Sequence, residues 1–89
     1  MNFGTARKKP VEIKYFQWQN NVEDLKTWLI NVVGSSFENN FEFTDTLRVR
    51  TLEGMSYNVK NNDIIIQGIK GEFYPCDLEI FHQTYIVTT

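Results

Sequence analysis

Leu47-Arg48-Val49-Arg50-Thr51-Leu52-Glu53-Gly54-Met55-Ser56-Tyr57-Asn58-Val59 is the stretch that decides the fold. Leu47, Val49 and Thr51 alternate with arginines, and Met55, Tyr57 and Val59 alternate with polar residues. Alternation at period two marks strands with one apolar face. A two-residue turn at Glu53-Gly54 would pair Arg50 with Tyr57 and set the apolar faces against each other. A loop of Leu52-Glu53-Gly54 instead pairs Thr51 with Met55, Val49 with Tyr57 and Leu47 with Val59. All apolar side chains then share one side, and Gly54 occupies the left-handed position that such loops need. The second register is preferred. It leaves Arg48, Arg50, Ser56 and Asn58 together on a polar face.

Working towards the N-terminus, Phe41 and Phe43 suit a short strand, and residues 35–40 a connection. Val22, Leu25, Trp28, Leu29, Val32 and Val33 recur at three- and four-residue steps, which is one face of a helix. Asn20 and Asn21 offer caps, Glu23 and Asp24 favour the positive end of the helix dipole, and Gly34 stands where a left-handed cap belongs. Val11 to Trp18 alternates again and predicts a strand. Residues 1–9 form a basic arm, expected to be flexible, ending in Arg7, Lys8 and Lys9.

Towards the C-terminus, Asn61-Asn62-Asp63 is a turn cluster. Ile64-Ile65-Ile66 is a continuous β-branched run, as in a strand covered on both faces. Gly68-Ile69-Lys70-Gly71 is a second turn. Pro75 lacks an N–H and should end the next strand or sit at a sheet edge. Asp77 can cap a short helix near residues 77–83, and Tyr85 to Val87 suits a last strand. The fold class is therefore α+β: a small, curved, mostly antiparallel sheet of about five strands, one covering helix and a short C-terminal helix, in a single domain.

With 89 residues the chain is too short for two domains. The net charge of −2 argues against general attraction to nucleic acid or anionic membrane. Cys76 is the single cysteine and His82 the single histidine, too few for an internal disulfide or a structural zinc site. No stretch has the length of a membrane span or a signal core, so a reducing cytoplasm is the expected compartment.

Two stretches carry a resemblance. One is Arg7-Lys8-Lys9-Pro10-Val11-Glu12-Ile13 followed by Gln17-Trp18. The other runs from Asp63-Ile64-Ile65 through Gly68-Ile69-Lys70-Gly71-Glu72-Phe73-Tyr74-Pro75-Cys76 to Ile80-Phe81 and Thr84-Tyr85. Together they resemble a family of small proteins encoded by phages and prophages of Gram-positive bacteria. Residues 38–60 stay mostly unmatched. Asn62-Asp63 replaces a Gly-Asp turn, and Asp77-Leu78-Glu79 replaces Lys-Pro-Asp, which reverses the charge at the helix start. The resemblance implies a phage accessory protein acting in the host cell. It implies no mechanism.

No residue pattern points to catalysis. Cys76 precedes a helix start, where a thiol can be acidified, but His82 would face another side of the helix. Gly68-x-x-Gly71 with Lys70 is similar to the backbone-clamping loop of KH domains, yet here it joins two strands, as a hairpin turn would. The expectation is a non-enzymatic interaction module without a cofactor, with a homodimer or a protein partner covering surplus aromatics. Trp18 and Tyr74 are the aromatic candidates for that contact, and Arg48, Arg50, Lys60 and Lys70 are the cationic ones. The same cations could hold a small anionic ligand such as a nucleotide. Weak single-stranded nucleic-acid binding by stacking is a third option.

Overall fold

The computed structural model describes residues 2–7 and 9–88. In chain order the elements are strand β1 (Lys14–Gln17), helix α1 (Val22–Trp28) running into a wide π-turn (Leu29–Val33), a one-turn helix α2 (Phe37–Asn40), strands β2 (Phe41–Phe43), β3 (Leu47–Arg50), β4 (Ser56–Val59), β5 (Ile64–Gln67) and β6 (Phe73–Cys76), and helix α3 (Leu78–Thr84). The fold is α+β with antiparallel pairing. The strands do not form a single sheet. They divide into two open three-stranded sheets, β1-β5-β6 and β2-β3-β4.

The preferred hairpin register forms: Leu47 pairs with Val59, Val49 with Tyr57 and Arg50 with Ser56. Thr51 N–H donates to the Met55 carbonyl at 2.8 Å, and Gly54 takes φ +85°. The apolar face is only partly covered, because Met55 and Tyr57 extend beyond the core and remain exposed.

The helix reading holds through Trp28. Asn21 caps it, its side-chain oxygen accepting from Glu23 and Asp24 N–H at 3.1 Å each. Beyond Trp28 the backbone widens: Gly34 N–H donates to the Leu29 carbonyl at 2.7 Å, five residues back. The extra residue in that turn rotates the face. Val32, expected inward, is exposed, whereas Leu29 is fully buried and Val33 half-buried. Gly34, at φ +81°, closes the element as expected.

Three expected elements change. The first strand shrinks from residues 11–18 to Lys14–Gln17 because β5 ends at Gln67, so that among the described residues no strand pairs with residues 11–13. Residues 35–40 include α2, which stacks Phe37 on Phe41 with ring centroids 5.8 Å apart. Tyr85–Val87 is not a strand; Tyr85 ends α3 and the chain continues without regular pairing. Pro75 lies within β6, at a sheet edge, where its missing N–H disturbs no interior ladder.

The isoleucine run is the pivot. Ile64, Ile65 and Ile66 are all buried in the central strand of their sheet. Ile65 faces the main core with Trp18, Leu25, Leu29, Phe41, Leu47, Val49, Val59 and Phe73. Ile64 and Ile66 face the other way, under Phe81 of α3, with Tyr15, Tyr74 and Tyr85 around them. The short C-terminal helix thus covers the second face of the sheet. Residues 2–7 are exposed and without regular structure; Lys8 of the basic arm lies outside the described residues.

Candidate functional site

The six residues singled out from the sequence do not converge. Trp18 is 1% exposed, locked in the core edge-on to Phe43 with centroids 5.8 Å apart. It offers no surface to a partner, so its assignment to a contact is corrected. The 62–63 turn holds its backbone as well: Trp18 N–H donates to the Asp63 carbonyl, and its own carbonyl accepts from Asn62 N–H.

Arg48 and Arg50 lie on the exposed face of β3, as the alternation requires. Arg48 donates to Asn58 Oδ1 at 3.3 Å, and Glu42 stands directly across from it on β2. Both arginines line a shallow groove of about 320 Å³ with Ser56, but Glu38 and Glu42 line it too. The carboxylates partly cancel the field that an anion would feel. Lys60 follows β4 at the end of the strand away from Ser56, and Lys70 sits on the turn of the other sheet. Neither lines this groove, so the four cations do not form one cleft.

Gly68–Gly71 is a hairpin turn between β5 and β6. Gly68 N–H donates to the Glu72 carbonyl at 2.8 Å, Gly71 takes φ +81°, and Glu72 Oε1 accepts from Lys70 N–H. The loop's N–H groups at Gly68, Lys70 and Gly71 are therefore all in use within the turn itself.

Cys76 ends β6, half-buried, and burial raises its thiol pKa, with Asp77 and Asp63 adding to the effect. The acidifying influence expected at a helix start does not prevail. Among the described residues no group of three or more His, Cys, Asp or Glu is placed to hold a metal ion, and no helix is long and apolar enough to cross a membrane.

Tyr74 is the one candidate that borders a larger space. Its hydroxyl lies 3.5 Å from that of Tyr85, and burial, followed by this hydrogen bond, pushes its pKa well above the ordinary tyrosine value. The space is a groove of about 840 Å³, lined by residues 9–15, by Trp28 and Val32, by the β5–β6 turn and by the end of the chain. Five exposed apolar residues share it: Val11, Val32, Ile69, Ile86 and Val87. The signal was present in the sequence, since Ile69 is a bare isoleucine in a turn and Ile86-Val87 follow a helix with nothing to pack on. Reading the latter as a strand hid it. Comparison with protein-family models, curated proteins and solved structures gives no match.

Proposed function

We propose that this protein is a non-enzymatic interaction module of phage or prophage origin that works by binding another polypeptide inside the host cell. The observation that carries the reading is the gathering of Val11, Val32, Ile69, Ile86 and Val87 in one groove. Scattered apolar residues are normal on a surface, whereas several in one concavity mark contact sites. The phage assignment draws on the two stretches of resemblance. The second stretch contributes to β5, β6 and α3, the first flanks β1 on both sides, and this groove borders that unit.

The test is affinity capture from infected host cells with wild type, Ile69→Glu and Ile86→Glu. Ile69 is 74% and Ile86 90% exposed, so both variants should melt within a degree or two of wild type. Capture lost in both variants supports the reading. Identical capture by all three chains, or none by wild type, removes it.

A second reading draws on Arg48 and Arg50, two guanidinium groups beside Ser56 in the smaller groove. A small anion such as a nucleotide would be its ligand. Melting temperature should then climb with nucleotide concentration, by mass action. A flat response across nucleotides retires this alternative.

A further inference from the structure

The larger groove contains an unfinished strand. Residues 9–13 lead into β1 but belong to no regular element and make no backbone hydrogen bond among the described residues. β1 itself is an edge: among the described residues β5 lies on one side and no strand on the other. The direction of its free groups can be worked out. Trp18 exchanges both of its backbone hydrogen bonds with the 62–63 turn, so Trp18 faces β5. Backbone groups alternate along an antiparallel strand, so Phe16 and Lys14 also face β5. The N–H and C=O groups of Tyr15, and of Ile13 and Val11 when the strand is continued, therefore point outward. Pro10, which has no N–H, does not belong to this outward row.

We infer that a second copy of the chain pairs with this edge, antiparallel, with Ile13 opposite Ile13 on a twofold axis. This rests on reading the groove as a contact surface and names the partner that fills it. The register is selected by two conditions. First, only outward-facing residues can exchange hydrogen bonds, and this register pairs Ile13 with itself and Val11 with Tyr15, all of them outward-facing. Second, charge must match across the strands. The same register sets Glu12 against Lys14 twice, once on each side of the axis, and both residues are exposed in the single chain. Opposite charges directly across antiparallel strands stabilise, and like charges destabilise. Shifting by two residues to centre on Val11 would place Pro10 across from Glu12 and lose both ion pairs. The Val11-Glu12-Ile13-Lys14-Tyr15 segment is thus complementary to itself.

Pairing joins the two β1-β5-β6 sheets into one continuous sheet of twice the width. Val11 of each copy then enters the other's groove beside Tyr15, whose ring packs on Phe81 with centroids 5.0 Å apart. The interface is isologous, as a twofold contact must be.

Sedimentation equilibrium on purified protein, over micromolar to near-millimolar concentration, tests the inference with four chains. Wild type should dimerise. Glu12→Lys and Lys14→Glu should each weaken the dimer by about tenfold, since each creates two like-charge pairs. The Glu12→Lys/Lys14→Glu double variant restores both pairs in reversed sense and should return to within a few-fold of wild type. Circular dichroism confirms that each chain is folded. Register is read separately with Ile13→Cys in a Cys76→Ser background. Hydrogen-bonded partners lie about 5.5 Å apart at Cα, within disulfide reach, so mild oxidation should crosslink the dimer. A wild type that stays monomeric throughout overturns the inference, as does a double variant no stronger than the singles, or an Ile13→Cys variant that fails to crosslink. A monomer that still captures a host or phage protein through Ile69 and Ile86 leaves the interaction module standing and discards only the second copy.

Discussion

At Asn62 the backbone carries φ +76°, a left-handed conformation that β-carbon-bearing residues rarely adopt. Its N–H donates to the Trp18 carbonyl at 2.6 Å and so ties the 61–63 turn to the end of β1. Asparagine tolerates this region better than other side-chain-bearing residues, and glycine better still. Asn62→Gly should therefore leave stability within about 0.5 kcal/mol of wild type, while Asn62→Ala should cost about 1 kcal/mol in urea denaturation. Equal losses in both would mean that the side chain, not the backbone angle, matters. Tyr74 makes the complementary electrostatic case. Burial and the Tyr85 hydroxyl favour its neutral form, so its folded pKa lies above its unfolded value of about 10. The stability that this shift contributes is whole below about pH 10 and is lost as pH rises through the folded pKa. Tyr74→Phe should flatten the alkaline arm of the stability profile, read as melting temperature from about pH 8 to 12. An unchanged slope would show that Tyr74 is not the group responsible.

Among the elements, α3 illustrates how much a seven-residue helix can hold in place. Asp77 caps it, with Oδ1 accepting from Glu79 N–H at 2.9 Å and Ile80 N–H at 3.2 Å. Phe81 then closes Ile64 and Ile66 from solvent. Asp77→Ala should cost about 1 kcal/mol and Phe81→Ala about 3–5 kcal/mol, by chemical denaturation. A negligible effect of Phe81→Ala would mean that the second face of the sheet needs no lid. Both residues were legible in the sequence, because a cap and an inward aromatic depend on neighbours a few positions away. The hairpin register was legible for the same reason: Gly54 and the strict alternation leave one arrangement that puts Leu47, Val49 and Val59 on one side. What lies further apart was not. Whether β2-β3-β4 joins or stacks on β1-β5-β6 depends on contacts such as Phe41 against Phe73, centroids 5.2 Å apart, that no local pattern encodes. Trp18 looked like a contact residue because an aromatic at a strand end gives no sign of what will cover it. Tyr85–Val87 had strand composition but, among the described residues, no strand to pair with. The candidate site was legible only in part: the arginine face follows from alternation, while the apolar groove is assembled by segments distant in the chain.

The two sheets share a single core, and this governs how the molecule should unfold. Ile65 and Phe73 come from the first sheet and Trp18 follows its edge strand β1, Phe41, Leu47, Val49 and Val59 come from the second, and Leu25 and Leu29 of the long helical segment pack among them. Trp28 packs α1 onto the first sheet, 5.5 Å from Phe16 and 6.2 Å from Phe73, while Lys26 lies 5.2 Å over the Phe37 ring and ties α1 to α2. The second sheet keeps no buried face if the first leaves, and the first loses its larger one. A three-stranded sheet without such cover is at the margin of stability, so separate unfolding steps have no stable intermediate to stop at. Denaturation followed by tryptophan fluorescence and by far-ultraviolet circular dichroism should therefore give coincident curves. Val49→Ala is the sharper probe. Val49 is fully buried in the second sheet, and removing its two methyl groups should cost about 1–3 kcal/mol. Trp18 adjoins the first sheet at the end of β1 and Trp28 belongs to the helix, yet fluorescence from both should shift to lower denaturant by the same amount as the dichroism. A dichroism curve that moves while fluorescence stays in place would show that the sheets are separate cooperative units and that the common core couples them only weakly.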